Sequence, residues 1–166
     1  MINNPITELK PHTYFIIAGE QSADNHGALL MQAMLAQNPE IDFKGIGGKK
    51  MTNAGLNSIE KIDKMAVMGF IEVIRHLAFF RKLTNRVLAK IEICKPKQII
   101  LIDYPGFNLR LAKKIKEKFD IPITYYISPQ LWAWKENRVK IIRKCIDQML
   151  VIFPFEENWY SEREVE

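Results

Sequence analysis

Cysteine is scarce. The chain has two, Cys94 and Cys145, far apart and outside any Cys-x-x-Cys spacing, which argues against a thiolate metal or redox site and reads them as buried apolar thiols. No cluster of His, Cys or carboxylate residues suggests metal use, and no cofactor is expected. Long hydrophobic runs are also missing. The most apolar segment, Met65 to Phe80, is broken by Glu72, Arg75 and His76 and falls short of the ~20 clean residues that span a bilayer. Met1 to Pro11 holds Asn, Thr, Glu, Lys and two prolines without the apolar core of a secretory signal, so export is not expected. Low-complexity stretches and internal repeats are absent, and the 8 Gly and 8 Pro are spread along the chain as in a globular protein.

What is present fits one domain. A chain of 166 residues, 48% hydrophobic and 26% charged, can bury one sizeable core but not two ordinary α/β domains. The net charge of +5 is concentrated in Arg75 to Lys90, Arg110 to Lys118 and Lys135 to Lys144. These runs read either as solvated helix faces or as surfaces for an anionic partner, phospholipid or nucleic acid. Charge alone does not separate the two partners.

Short apolar runs rich in β-branched and aromatic residues recur with room for helices between them, the sign of a parallel sheet with crossovers. The pattern predicts strands at Tyr14 to Ala18, Phe43 to Ile46, Gln98 to Ile102, Ile123 to Ile127 and Gln148 to Phe153. Helices are expected over Asp24 to Gln37, with Ser22 as a cap, over Phe107 to Phe119 and near Glu136 to Cys145. A helix or helix pair is expected between Gly69 and Cys94. The predicted fold is a Rossmann-like, doubly wound α/β domain, in which ligands bind beyond the carboxyl ends of the strands.

The unusual residues collect at those ends. The first loop, Gly19 to Gly27, offers amides and a hydroxyl at a helix start, suited to a phosphate or a sugar hydroxyl; the alternative is an ordinary strand-to-helix turn. It matches neither a Walker A loop nor Gly-x-Gly-x-x-Gly, and His26 reads as a helix-surface histidine. Asp103 ends an apolar strand before Pro105 and Gly106. It reads as a base for a substrate hydroxyl or as a turn and capping residue. Trp132 and Trp134 beside Pro129 read as core packing or as the wall of a sugar pocket. Phe70, Val73, Ile74 and Leu77, at helical spacing after Met68, read as a core-facing helix or as an exposed apolar lip for acyl chains.

Six motifs in series resemble lipid-A-disaccharide synthases. They are Ala18-Gly-Glu-x-Ser-x-Asp24, Gly45-Ile-Gly-Gly48, Met65-x-Val-Met-Gly-Phe-x-Glu-Val73, Asp103-x-Pro-x-Phe-Asn108, Tyr126-Ile-Ser-Pro-Gln-x-Trp-Ala-Trp134 and Pro154-Phe-Glu156. The resemblance implies the amino-terminal, acceptor-side domain of a GT-B glycosyltransferase over residues 13–166, behind an extension at 1–12. Such an enzyme joins UDP-2,3-diacylglucosamine to 2,3-diacylglucosamine 1-phosphate, forms the β-1,6-linked lipid A precursor with inversion, and releases UDP without a metal. It implies Asp103 as the base. Substrate contacts are implied at Gly19, Glu20, Ser22 and Asp24 after the first strand, and at Gly47 and Gly48 after the second. Later loops add Asn108, then Ser128, Gln130, Trp132 and Trp134, and finally Glu156. Acyl or membrane contacts are implied at Met68, Phe70, Val73, Ile74 and Leu77, on the cytoplasmic face of the inner membrane.

Two departures stand out. Ala23 occupies a position where the family has glycine, and a complete synthase is roughly twice as long, so its second, UDP-binding domain is not expected within these 166 residues. The chain alone is therefore expected to be inactive. The alternative is a non-enzymatic lipid or membrane-binding module derived from the acceptor half. Nucleic acid is not an expected partner, since the aromatics are not interleaved with the basic runs. A related enzyme acting on another sugar nucleotide, such as an epimerase, leaves the Met-Gly-Phe segment unexplained.

Overall fold

A computed structural model describes residues 12–61, 77–131 and 138–166. Met68, Phe70, Val73, Ile74, Trp132 and Trp134, and the side chain of Leu77, lie outside the described set.

Strand β1 (Thr13–Ala18) leads into helix α1 (Gln21–Gln37), followed by β2 (Asp42–Gly47), α2 (Lys49–Asn53) and β3 (Leu56–Lys61). Helix α3 (Leu77–Cys94) precedes β4 (Gln98–Ile102), α4 (Pro105–Lys116), β5 (Ile123–Tyr126), α5 (Val139–Cys145), β6 (Gln148–Leu150) and α6 (Pro154–Ser161). The six strands form one parallel sheet in the order β3-β2-β1-β4-β5-β6. This is the order of a Rossmann-like, doubly wound domain, whose direction of winding reverses between β1 and β4. Alternate residues of each strand face opposite layers. Phe15, Ile17, Ile99 and Leu101 pack with α3 and α4 through Val87, Ile91, Leu111 and Ile115. Ile16, Ile100 and Ile102 pack with α1 and α2 through Ala28, Met31 and Met51. Both cysteines are buried and free, as their isolation in the sequence suggested. No described helix is long and apolar enough to cross a membrane.

All five predicted strands are present, β4 with the predicted bounds and the other four with altered ends. β5 stops at Tyr126 because Ile127 turns to φ 66°, a left-handed conformation that a β-branched residue rarely adopts. β6 stops at Leu150, and Pro154 begins α6, so Pro154-Phe-Glu156 forms a first helical turn. Helix α4 starts at Pro105, two residues earlier than predicted, since proline's fixed φ suits the first helical position. Ser22 does not cap α1. Glu20 occupies the N-cap, and the Ser22 hydroxyl donates to the Glu20 carboxylate from inside the first turn.

Strand β3 and helix α2 were not predicted. β3 reads Leu-Asn-Ser-Ile-Glu-Lys, too polar to signal an edge strand, and is held by its ladder to β2 and by the Arg86 guanidinium on the Ile59 carbonyl and the Glu60 carboxylate. α2 is capped from a distance. Asp24 Oδ1 accepts from the Gly48 N–H (2.7 Å) and the Met51 N–H (3.1 Å), while Oδ2 accepts from the Lys50 N–H (3.1 Å). A carboxylate taking three amides at the start of a helix satisfies donors the helix cannot satisfy itself. The basic stretches are partly neutralised: Lys114 meets Glu117, Lys116 meets Asp147 and Arg143 meets Glu164.

Two substitutions test this frame. At Gly45 φ is 144°, and a Cβ would lie 1.8 Å from the Ile16 carbonyl oxygen, so Gly45→Ala should cost about 3 kcal/mol or more in a urea unfolding titration. Asp24→Ala strands buried amides and should cost about 2–4 kcal/mol in the same titration.

Candidate functional site

Because every strand is parallel, the loops singled out in the sequence share one rim, and the strand order decides which of them meet. The β1–α1 and β4–α4 loops are neighbours across the reversal between β1 and β4. Their approach is close. A Cβ on Gly19 would fall 2.4 Å from the Tyr104 ring, so glycine here makes room for an aromatic side chain of the next loop. This contact delivers Glu20 to Asp103.

The Asp103 carboxyl is held above its ordinary range, first by burial and then by the Glu20 carboxylate, which acts as a like charge and as a hydrogen-bond partner. The Tyr104 N–H and His26 pull the other way. Burial and Glu20 also raise the Tyr104 hydroxyl. Burial and a neighbouring like charge disfavour the ionised form of Asp103, and a carboxylate with a raised pKa is the stronger base. His26 is exposed on α1 and lies edge-on to Tyr126 with 6.3 Å between ring centroids.

Asp103 and Tyr104 both adopt left-handed backbone, at φ 46° and 49°. Left-handed conformations at non-glycine residues cost roughly 1–2 kcal/mol each, and such strain gathers at functional sites. The Asp103 main chain is tied down on both sides: its N–H donates to the Tyr126 carbonyl at 3.0 Å, and its carbonyl accepts from Asn108 Nδ2 at 2.7 Å and from the Tyr125 hydroxyl at 2.5 Å. Tyr125 was not anticipated. Its position inside an apolar strand gave no hint that its hydroxyl would reach a neighbouring loop.

The remaining predicted contacts divide by geometry. Glu20 and Asp103 are half-buried and Ser22 is exposed, all on the β1 and β4 side of the rim; Gln130 is exposed after β5. Asp24 and Asn108 are fully buried and turned inward, Asp24 to the α2 amides and Asn108 to backbone carbonyls. The space that Gly48 leaves open is taken by the Asp24 carboxylate, and that at Gly47 by Leu56 and Met51. Ala23 is buried in the α1 layer core. Ser128 is buried beyond β5, where the Tyr160 hydroxyl of α6 donates to the Pro129 carbonyl at 2.8 Å. Glu156 is buried below, accepting from the Phe153 N–H at 3.3 Å; the burial of Tyr160 itself, and then the nearby Glu156 carboxylate, raise the Tyr160 hydroxyl. No metal-binding group of three His, Cys, Asp or Glu occurs among the described residues.

The family model described as lipid-A-disaccharide synthetase matches residues 14–166. A lipid-A-disaccharide synthase 1 of Legionella pneumophila is 47% identical over 146 residues, which are 88% of this chain and 38% of that protein. Lipid-A-disaccharide synthases of Trichlorobacter lovleyi and Gluconobacter oxydans are each 44% identical, over 92% of this chain and 40% and 36% of their own lengths. The chain thus spans about two-fifths of these curated relatives.

The raised Asp103 carboxyl has a measurable sign. A group whose folded pKa lies above its unfolded value favours folding below the unfolded pKa, and that contribution is lost as pH rises through the folded pKa. Asp103→Asn should therefore raise the thermal midpoint more at pH 7 than at pH 3.5. Equal gains at both pH values would mean that asparagine only relieves the left-handed backbone.

Proposed function

The chain belongs to the lipid-A-disaccharide synthetase family, and from that premise we propose that it is the acceptor-side part of an inverting glycosyltransferase. Its acceptor is 2,3-diacylglucosamine 1-phosphate and the donor of the complete enzyme is UDP-2,3-diacylglucosamine. The observation that carries this reading is the Asp103 and Glu20 pair at the reversal of the sheet, where a doubly wound domain binds its ligand.

Asp103 takes the proton of the acceptor 6-hydroxyl as that oxygen attacks the anomeric carbon of the donor. The carbon–oxygen bond to UDP breaks on the opposite face, and UDP leaves with the electron pair. A base raised by burial and by Glu20 is suited to a hydroxyl that becomes acidic only as it reacts. The Ser22 hydroxyl holds the Glu20 carboxylate. Outside the described residues, sugar contacts are assigned to Trp132 and Trp134, and acyl contacts at the cytoplasmic face of the inner membrane to Met68, Phe70, Val73, Ile74 and the Leu77 side chain. The donor site is assigned to the part of the relatives that this chain does not span.

Tryptophan fluorescence during titration with 2,3-diacylglucosamine 1-phosphate, below its aggregation point, tests the assignment. Saturable quenching is expected, with none from an acylated phosphate of equal chain length that lacks the sugar. Equal responses to both lipids would favour a non-enzymatic lipid-binding module. Supplying UDP-2,3-diacylglucosamine as well should release no UDP from these 166 residues by themselves, and turnover would overturn the assignment of the donor site to the rest of the relatives' length.

A further inference from the structure

A carboxylate at a strained rim position works as a base only if its main chain stays in one conformation. Asp103 and Tyr104 are consecutive left-handed residues; aspartate visits this conformation more readily than most, but tyrosine does not, and two in succession are costly. Gly106, which has open space around it, lies too far along to relieve them. Something must hold the turn.

The holding groups come from two elements. Asn108, in the first turns of α4, directs Nδ2 at both the Ile102 carbonyl (3.2 Å) and the Asp103 carbonyl (2.7 Å). Tyr125, on β5, brings its hydroxyl to the same Asp103 carbonyl at 2.5 Å. Both side chains are fully buried. The opposite amide orientation at Asn108 would set Oδ1 against two carbonyl oxygens, so the observed one is required. It leaves Oδ1 buried with no partner among the described residues. Turning Asp103 to ordinary backbone would swing its carbonyl off both donors.

We propose that Asn108 and Tyr125 are positioning residues that clamp the Asp103 carbonyl and so keep the Asp103 carboxyl beside Glu20 at the rim. The proposal rests on the reading of Asp103 as the base and says how that base is held. It also moves Asn108 from substrate contact to support. Among the described residues, the titratable groups acting on the Asp103 carboxyl are Glu20 from the β1–α1 loop and His26 from α1. Tyr125, on β5, is coupled to it in turn and has its own hydroxyl raised strongly by burial.

The test is NMR on the 166-residue chain, with the Asp103 carboxyl carbon assigned from Asp103→Asn. Two signals are followed in wild type, Tyr125→Phe, Asn108→Ala and Glu20→Gln: the Asp103 titration midpoint, and the strong amide-to-Hα cross-peak within residue 103 that marks positive φ. Tyr125→Phe and Asn108→Ala should weaken that cross-peak and lower the midpoint toward the ordinary carboxylate range, with the remaining amide spectrum in place. Glu20→Gln should lower the midpoint and leave the cross-peak intact. If Tyr125→Phe folds and alters neither signal, the clamp is overturned, whatever the stability of Asn108→Ala. If Glu20→Gln leaves the midpoint unmoved, the carboxyl-pair reading fails, and the cross-peak still decides the clamp.

Discussion

The contact between the Tyr104 ring and the bare main chain of Gly19 is the constraint on which the site depends. A side chain on residue 19 would need the volume that the ring fills. With none there, the loops after β1 and β4 close on each other at the reversal of the sheet, and two carboxyls from distant parts of the chain share one partly buried place. Neither carboxyl is unusual on its own. The raised pKa of Asp103 is a property of their juxtaposition and of the water they exclude.

Three of the five left-handed non-glycine residues among those described lie along this rim. Asp103, Tyr104 and Ile127 are left-handed without being glycine, and they follow adjacent strands at the carboxyl rim. Each is anchored by neighbours: the Asp103 N–H donates to the Tyr126 carbonyl, and the Ile127 N–H to the Leu150 carbonyl. The opposite layer is quieter. Asp24 joins the first two loops by capping α2, which turns an acidic residue of the first motif into a structural brace and leaves Glu20 as the acidic side chain of that loop facing the rim.

A lateral chain of side chains stiffens the far half of the sheet. Gln98 Nε2 donates to the Thr124 hydroxyl at 2.6 Å, and Thr124 donates to Gln148 Oε1 at 3.2 Å, linking β4, β5 and β6 on one face. Beyond them Phe153 and Phe155 stack with 5.8 Å between centroids on an exposed part of the rim. Gln98, Thr124 and Gln148 stand at the starts of their strands, at the other end of the sheet from the site, whose own main-chain supports come from α4 and β5.

Alternation of apolar strands and helices was legible in the residues, because burial on both faces of a parallel strand demands a continuous apolar run wherever the strand lies. The same signal placed Asp103 at the end of β4 and the polar loops on one rim. It missed β3, whose two apolar residues suffice for an edge strand only because β2 supplies the ladder, and α2, whose cap arrives from α1. By itself the sequence determined the α/β class, the family motifs and which residues stand at strand ends, since periodicity and turn chemistry are local. Only the tertiary structure decided that Glu20 faces Asp103, that Asp24 and Asn108 turn inward, and that Tyr125 reaches the Asp103 carbonyl. The direction of a polar side chain is set by which donors and acceptors the neighbouring elements bring to it, and strand order, not chain proximity, selects those neighbours.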